Sequence, residues 1–177
     1  MAISTFDGPV RSLSGMYSQG ANAVVNIATG ITALSPSVAA YSGRPIKVND
    51  AAFTCTLPTI VATADSSASG PGSDPNNTNN LGATFLFMIE TASTGFIVAT
   101  DGTDKFFGSV LIVATDAAGA TTGYAPASSN DVCTLNGSTK GGAVGSWLKF
   151  TAIASAKYWV EGVLLGTSTI ATPFSDS

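Results

Sequence analysis

The chain has 177 residues, a net charge of −4 and no histidine, and Ala, Gly, Ser and Thr make up about half of it. Charged residues are 10%, against roughly 25% in an ordinary soluble domain. The missing histidine removes Ser-His-Asp triads, Cys-His nucleophile pairs and imidazole metal ligands. Two cysteines, Cys55 and Cys133, are too few for a four-Cys zinc site or a disulfide framework. Seven Lys and Arg argue against a nucleic-acid partner, whose affinity rests on phosphate contacts. Low charge with high apolar content is the reverse of a disordered composition. The length suits one domain with a sizeable core. A surface this poor in charge fits close packing against other chains. The composition therefore predicts an obligate oligomer or a part of a larger assembly, with a neutral secreted β-domain as the alternative.

The first residues, MAISTFDGPVRSL, do not read as a signal peptide, because Asp7, Gly8, Pro9 and Arg11 interrupt any apolar run. No stretch of 18 apolar residues is present, so no membrane-spanning helix is expected. Residues 1–23 carry Phe6, Val10, Leu13, Met16 and Tyr17 at spacings too wide for a helix. They read as an extended N-terminal arm that docks on something, followed by a single β-domain over 24–177. Strand-like runs follow at Val24–Ile27, Ile46–Val48, Phe53–Leu57, Phe85–Ile89, Phe96–Val98, Val110–Val113, Val132–Leu135, Trp147–Phe150 and Tyr158–Glu161. Phe85–Ile89 is apolar on both faces and is expected to be covered on both sides. Asp101-Gly102 reads as a hairpin turn and Asp116–Gly119 as another turn. The stretch from Asp65 to Asn80 has no apolar anchor and reads as a mobile surface loop or an ordered tip touching a neighbour. The best helical candidate, Ile31 to Tyr41, is broken by Pro36. Many short strands with frequent turns predict an all-β fold: a jelly-roll-like β-sandwich or small barrel with an extended arm.

Few constellations carry chemistry. Glu90 and Glu161 are the only glutamates, and a glycosidase needs two carboxylates at a set separation; the plainer reading is two strand-end charges. Asp101 and Asp104 have oxygen ligands of the kind calcium takes, but their spacing suits a turn better. Gly137-Ser138-Thr139-Lys140-Gly141-Gly142 fails the phosphate-loop pattern and reads as a flexible hairpin loop. Cys55 and Cys133 sit among apolar neighbours as buried free thiols; a disulfide needs Cα atoms within about 7 Å, which the sequence does not fix. The aromatics cluster at Phe85/Phe87, Phe106-Phe107, Trp147/Phe150 and Tyr158-Trp159. They suit a core or a subunit seam, with a sugar-stacking tip as the alternative. No enzyme, cofactor or metal is expected.

The segments GTDKFFG (102–108), TLNGSTKGG (134–142), GSWLKF (145–150), YWVEG (158–162) and ATPFS (171–175) resemble capsid decoration (cement) proteins of tailed bacteriophages. Thr56-Leu57-Pro58 and GPVRSL (8–13) fit the same style. The resemblance implies a trimeric virion protein on the outer surface of the capsid, binding across major capsid protein subunits and stabilising the expanded head. In that role the arm supplies Phe6, Val10, Arg11, Leu13, Met16 and Tyr17 to the shell, with Arg11 facing a shell carboxylate. Trp147, Tyr158 and Trp159 are the expected trimer seam, because buried aromatics dominate interface energetics. The alternative is the receptor- or carbohydrate-binding head of a phage fibre or tailspike.

Overall fold

The computed structural model describes residues 24–62 and 80–177. The six arm residues Phe6, Val10, Arg11, Leu13, Met16 and Tyr17 lie outside the described residues, as does the 65–80 stretch apart from Asn80.

The strands are β1 (Val25–Ile27), β2 (Ala33–Leu34), β3 (Pro45–Val48), β4 (Thr54–Thr56), β5 (Thr84–Ile89), β6 (Phe96–Ala99), β7 (Lys105–Ala114), β8 (Thr122–Tyr124), β9 (Val132–Leu135), β10 (Trp147–Ala154), β11 (Lys157–Gly166) and β12 (Phe174–Ser175). A single helical turn, α1 (Val38–Tyr41), starts just after Pro36, and the Ser37 side chain caps it by accepting from the Ala40 N–H. The strands form two mixed sheets. One runs β1-β3-β5-β10-β11-β7-β8 and the other β12-β9-β6-β4-β2.

The first six strands alternate between the sheets. β1, β3 and β5 add side by side in parallel in one, and β2, β4 and β6 do the same in the other. Parallel neighbours need a crossover, and here the crossover is a strand of the opposite sheet instead of a helix. The later strands bring antiparallel pairing, with β10 flanked by β5 and β11, and β9 by β6 and β12.

This winding corrects the hairpin expected at Asp101-Gly102. β6 and β7, on either side of that turn, belong to different sheets. The turn is a corner between layers, and its carboxylates bolt it down. Asp101 accepts from the Thr59 hydroxyl at 2.7 Å and from the Thr103 N–H, and the buried Asp104 accepts from the Ile60 N–H at 2.8 Å. Asn80 fixes the neighbouring segment, accepting from the Val61 N–H and donating to the Thr59 carbonyl. The Asp116–Gly119 turn does join two antiparallel strands, β7 and β8.

Both inner faces feed one core. Alternation puts Phe85, Phe87 and Ile89 of β5, Leu148 and Phe150 of β10, and Tyr158, Val160 and Leu164 of β11 inward. The other sheet contributes Cys55, Phe96, Val98, Cys133 and Leu135. Rings interlock across the layers: Phe87 meets Phe96 at 5.5 Å between centroids, and Phe106 meets Phe174 at 6.4 Å. Cys55 and Cys133 are both opposite Val98, one on each side of it. They are thus two strand spacings apart, roughly 10 Å, and remain free buried thiols. Burial pushes each thiol up to about 12.

Candidate functional site

The residues with possible chemistry are mostly spent on structure. Glu90 pairs with Lys47 at 2.9 Å, and Glu161 pairs with Lys149 on the adjacent strand. Asp101 and Asp104 face the inter-sheet corner just described. The Thr59 hydroxyl holds the Asp101 carboxyl below the usual range, whereas burial raises that of Asp104. The Gly137–Gly142 loop is bound tightly, which corrects its reading as flexible. The Asn136 carboxamide accepts from the Ser138 and Lys140 N–H groups and donates to the Thr139 hydroxyl. Gly141 and Gly142 are buried. At Gly142, with φ of 96°, a Cβ would sit 2.7 Å from the Leu135 Cβ, so a side chain there would strike the core. Among the described residues no cluster of three or more His, Cys, Asp or Glu is placed to hold a metal ion. Among the described residues no helix is long and apolar enough to cross a membrane.

What stands out is the outer face of the seven-stranded sheet. Strands that alternate apolar and polar have one solvated face. β5 (TFLFMI), β7 (KFFGSVLIVA), β10 (WLKFTAIA) and β11 (KYWVEGVLLG) carry apolar residues on both. The register lines up their outward residues in rows. One row runs Lys47, Met88, Trp147, Val163, Leu111; the next runs Pro45, Leu86, Lys149, Glu161, Ser109; a third runs Thr84, Thr151, Trp159, Phe107. Among the described residues nothing lies over this face. Met88 is 49%, Trp159 44%, Leu111 41% and Trp147 36% exposed. β5 was expected to be covered on both sides, and the described residues cover only its inner side.

The charges of this face are already matched within it. Lys47 is held by Glu90, Lys149 by Glu161, and the Lys157 ammonium lies 5.0 Å from the centre of the Phe107 ring. Exposed pairs like these add little to stability. They leave a face where exposed Met88, Leu111, Trp147 and Trp159 stand among paired charges and threonines, a candidate interaction surface. Gly108 shapes it locally. With φ of 107°, its missing Cβ would fall 2.2 Å from the Val160 carbonyl oxygen and 3.2 Å from the Trp159 ring. The Trp159 indole therefore lies against the backbone of β7.

At the β1 edge the face opens into a cavity of about 480 Å³. Val24, Pro45, Lys47, Met88, Glu90 and Val144 are among the residues that line it.

The three expected seam aromatics separate. Trp147 and Trp159 are both on the open face, four residue pairs apart along adjacent strands, with the Lys149–Glu161 pair between them. Tyr158 is not at any surface, which corrects its assignment to a seam. Its side chain is fully buried, and its hydroxyl donates to the Pro58 carbonyl at 2.6 Å. Neighbours in a strand point to opposite faces, so Tyr158 and Trp159 cannot serve one interface. Sequence reading missed the contributions of Met88, Leu111 and Val144. The signal for Met88 and Leu111 was present in the double-sided apolar pattern; Val144 is in a loop and gave none. No protein-family model matches the chain, and neither a curated protein nor a solved structure matches it.

Proposed function

We propose that this chain is a structural virion protein, a trimeric capsid decoration or cement protein. It binds across neighbouring major capsid protein subunits on the outer surface of the head and stabilises the expanded lattice. The observation that carries the reading is the open apolar face of the seven-stranded sheet, with Trp147 and Trp159 on it and its charges internally paired. A charge-poor chain with such a face lowers its free energy by associating. Three copies related by a threefold axis close a ring through one repeated head-to-tail contact, and Trp147 and Trp159 are its anchors. The arm, bearing Phe6, Val10, Arg11, Leu13, Met16 and Tyr17, is the part that reaches the shell in this reading. A subunit that binds the assembled lattice better than free capsid subunits stabilises the lattice by mass action. This role calls on no nucleic acid, membrane or cofactor. The fold in this reading is a jelly-roll-like variant in which early strands wind in parallel between the sheets.

Deleting residues 1–20 tests the reading. The truncated protein should sediment as a folded trimer of about 53 kDa, three times 17.7 kDa, and should no longer bind expanded capsids. A truncation that binds capsids as tightly as the full chain would overturn the role of the arm, and a stable monomer at micromolar concentration would overturn the seam.

A further inference from the structure

Segment 171–177 runs along one flank of the sandwich and ties its two sheets together. Where it begins, the Tyr124 hydroxyl of β8 donates to the Ile170 carbonyl at 2.8 Å, and the Ala171 N–H donates to the Thr139 carbonyl at 2.8 Å. In its middle, β12 pairs with β9 alone and is the end strand of its sheet. The Thr134 N–H donates to the Pro173 carbonyl, and the Asp131 N–H to the Ser175 carbonyl. Pro173 and Phe174 are buried, and the rest of the segment is exposed. Phe174 is opposite Cys133 of β9 and meets the Phe106 ring of β7 at 6.4 Å.

The far end is held by one buried carboxylate. The Asp131 side chain is 2% exposed and accepts from the Lys105 ammonium at 2.7 Å, the Ser177 N–H at 2.8 Å and the Ser177 hydroxyl at 3.2 Å. Lys105 opens β7 and Asp131 directly precedes β9, so this group joins both sheets and the segment at one point. Hydrogen bonds to an ionised group are the strong ones. The apolar hold is slight by comparison, since Pro173 and Phe174 are its only buried residues. An edge element with few buried side chains opens at lower free energy than the core beside it.

We infer that segment 171–177 is a strap that opens as a unit while both sheets stay folded, and that the Asp131 carboxylate is its catch. Opening frees the Asp131 and Thr134 N–H groups along β9, the kind of unpaired edge at which a further strand adds. This goes beyond the shell-binding reading and does not rest on it.

The two thiols test the strap in the full-length chain. Both are 0% exposed. Cys133 lies next to the strap, whereas Cys55 is on β4, enclosed between β2 and β6. Strap opening therefore bares Cys133 alone, and global unfolding bares both. Asp131→Asn keeps the volume of the side chain but leaves one acceptor oxygen for three donors. Alkylation under native conditions, followed by peptide mass mapping, gives a labelling rate for each thiol. Asp131→Asn should label Cys133 at least about tenfold faster than the unsubstituted chain does, with the Cys55 rate unchanged. Ser177→Ala removes one exposed hydroxyl and leaves the core untouched. It should show the same selectivity at about threefold, and it decides the matter where Asp131→Asn does not fold. Equal acceleration of Cys133 and Cys55 would overturn the proposal, and so would an unchanged Cys133 rate. No shell and no second copy enter the assay, so its failure leaves the capsid reading standing, and a failed capsid assay leaves the strap standing.

Discussion

Replacing Trp159 by Ala separates self-association from folding. A tryptophan buries up to roughly 250 Å². Trp159 is 44% exposed in the isolated chain, so about 110 Å² remains for a neighbour to cover. At about 25 cal/mol per Å² this is about 2.7 kcal/mol per seam, or roughly a hundredfold in the association constant. The same reasoning for Trp147, 36% exposed, gives about 90 Å² and about 2.2 kcal/mol. Trp159→Ala also removes the part of the indole packed against Gly108, so the subunit itself should lose about 1–3 kcal/mol. Sedimentation equilibrium over a concentration series reads the association, and circular dichroism reads the fold. Three equivalent seams each lose this amount, and the midpoint concentration of a trimer follows the square root of its dissociation constant, so the expected result is a β-rich protein whose trimer dissociates at roughly thousandfold higher concentration than the unsubstituted chain. An unchanged association constant in Trp159→Ala and in Trp147→Ala would refute the assignment of this face to the seam.

Three further outcomes follow from the same structure. Tyr158→Phe leaves the half-buried Pro58 carbonyl without its donor and should cost about 1 kcal/mol. That amounts to a fall of about 2–4 °C in Tm per kcal/mol, with no change in self-association; weakened association at unchanged stability would return Tyr158 to the seam. Acid should destabilise the fold below about pH 4, seen as a falling denaturation midpoint. Three carboxyls have folded-state pKa values lowered from 3.8: Asp131, where Lys105 and Ser177 outweigh the opposing effect of burial, Asp101 through Thr59, and Asp50 through the Ala52 and Gly30 N–H groups. Their contribution is complete above the unfolded value and is lost as pH falls through the folded values. Asp104 has the opposite sign, since burial raises it. Stability should therefore gain from its protonation above that range, and Asp104→Asn should remove the gain; an unaltered profile in that variant would contradict the account. Finally, a thiol reagent should find no reactive cysteine in the native chain and two after denaturation, because both thiols are buried and raised to about 12.

The all-β character was legible because short Val-, Ile- and Thr-rich runs with period-two alternation have few other uses. Cys55 in Thr54-Cys55-Thr56 points inward as its alternation requires. The sheet assignment was not legible. Asp101-Gly102 has hairpin chemistry, yet whether its flanking strands pair depends on β4 and β9 claiming β6, and on β8 and β11 claiming β7. Those are long-range contacts that no local residue encodes. β2, β8 and β12 have only two or three residues, too few to show a period. The β10–β11 turn at Ala154–Lys157 carries no glycine or asparagine and places Ala156 at φ of 58°, so its turn signal is missing. Of the seam residues, two of three fell on the open face. Tyr158 is inside because a strand sends the members of an aromatic pair adjacent in sequence to opposite sides.

Electron cryo-microscopy of virions carrying this protein tests the central claim most directly. The account predicts trimeric density on the outer surface of the head, repeated across capsomer boundaries in hundreds of copies. The open faces of the seven-stranded sheets should meet at the threefold axis. Density confined to a few copies at the tail or its fibres, or no density on the head, would contradict it.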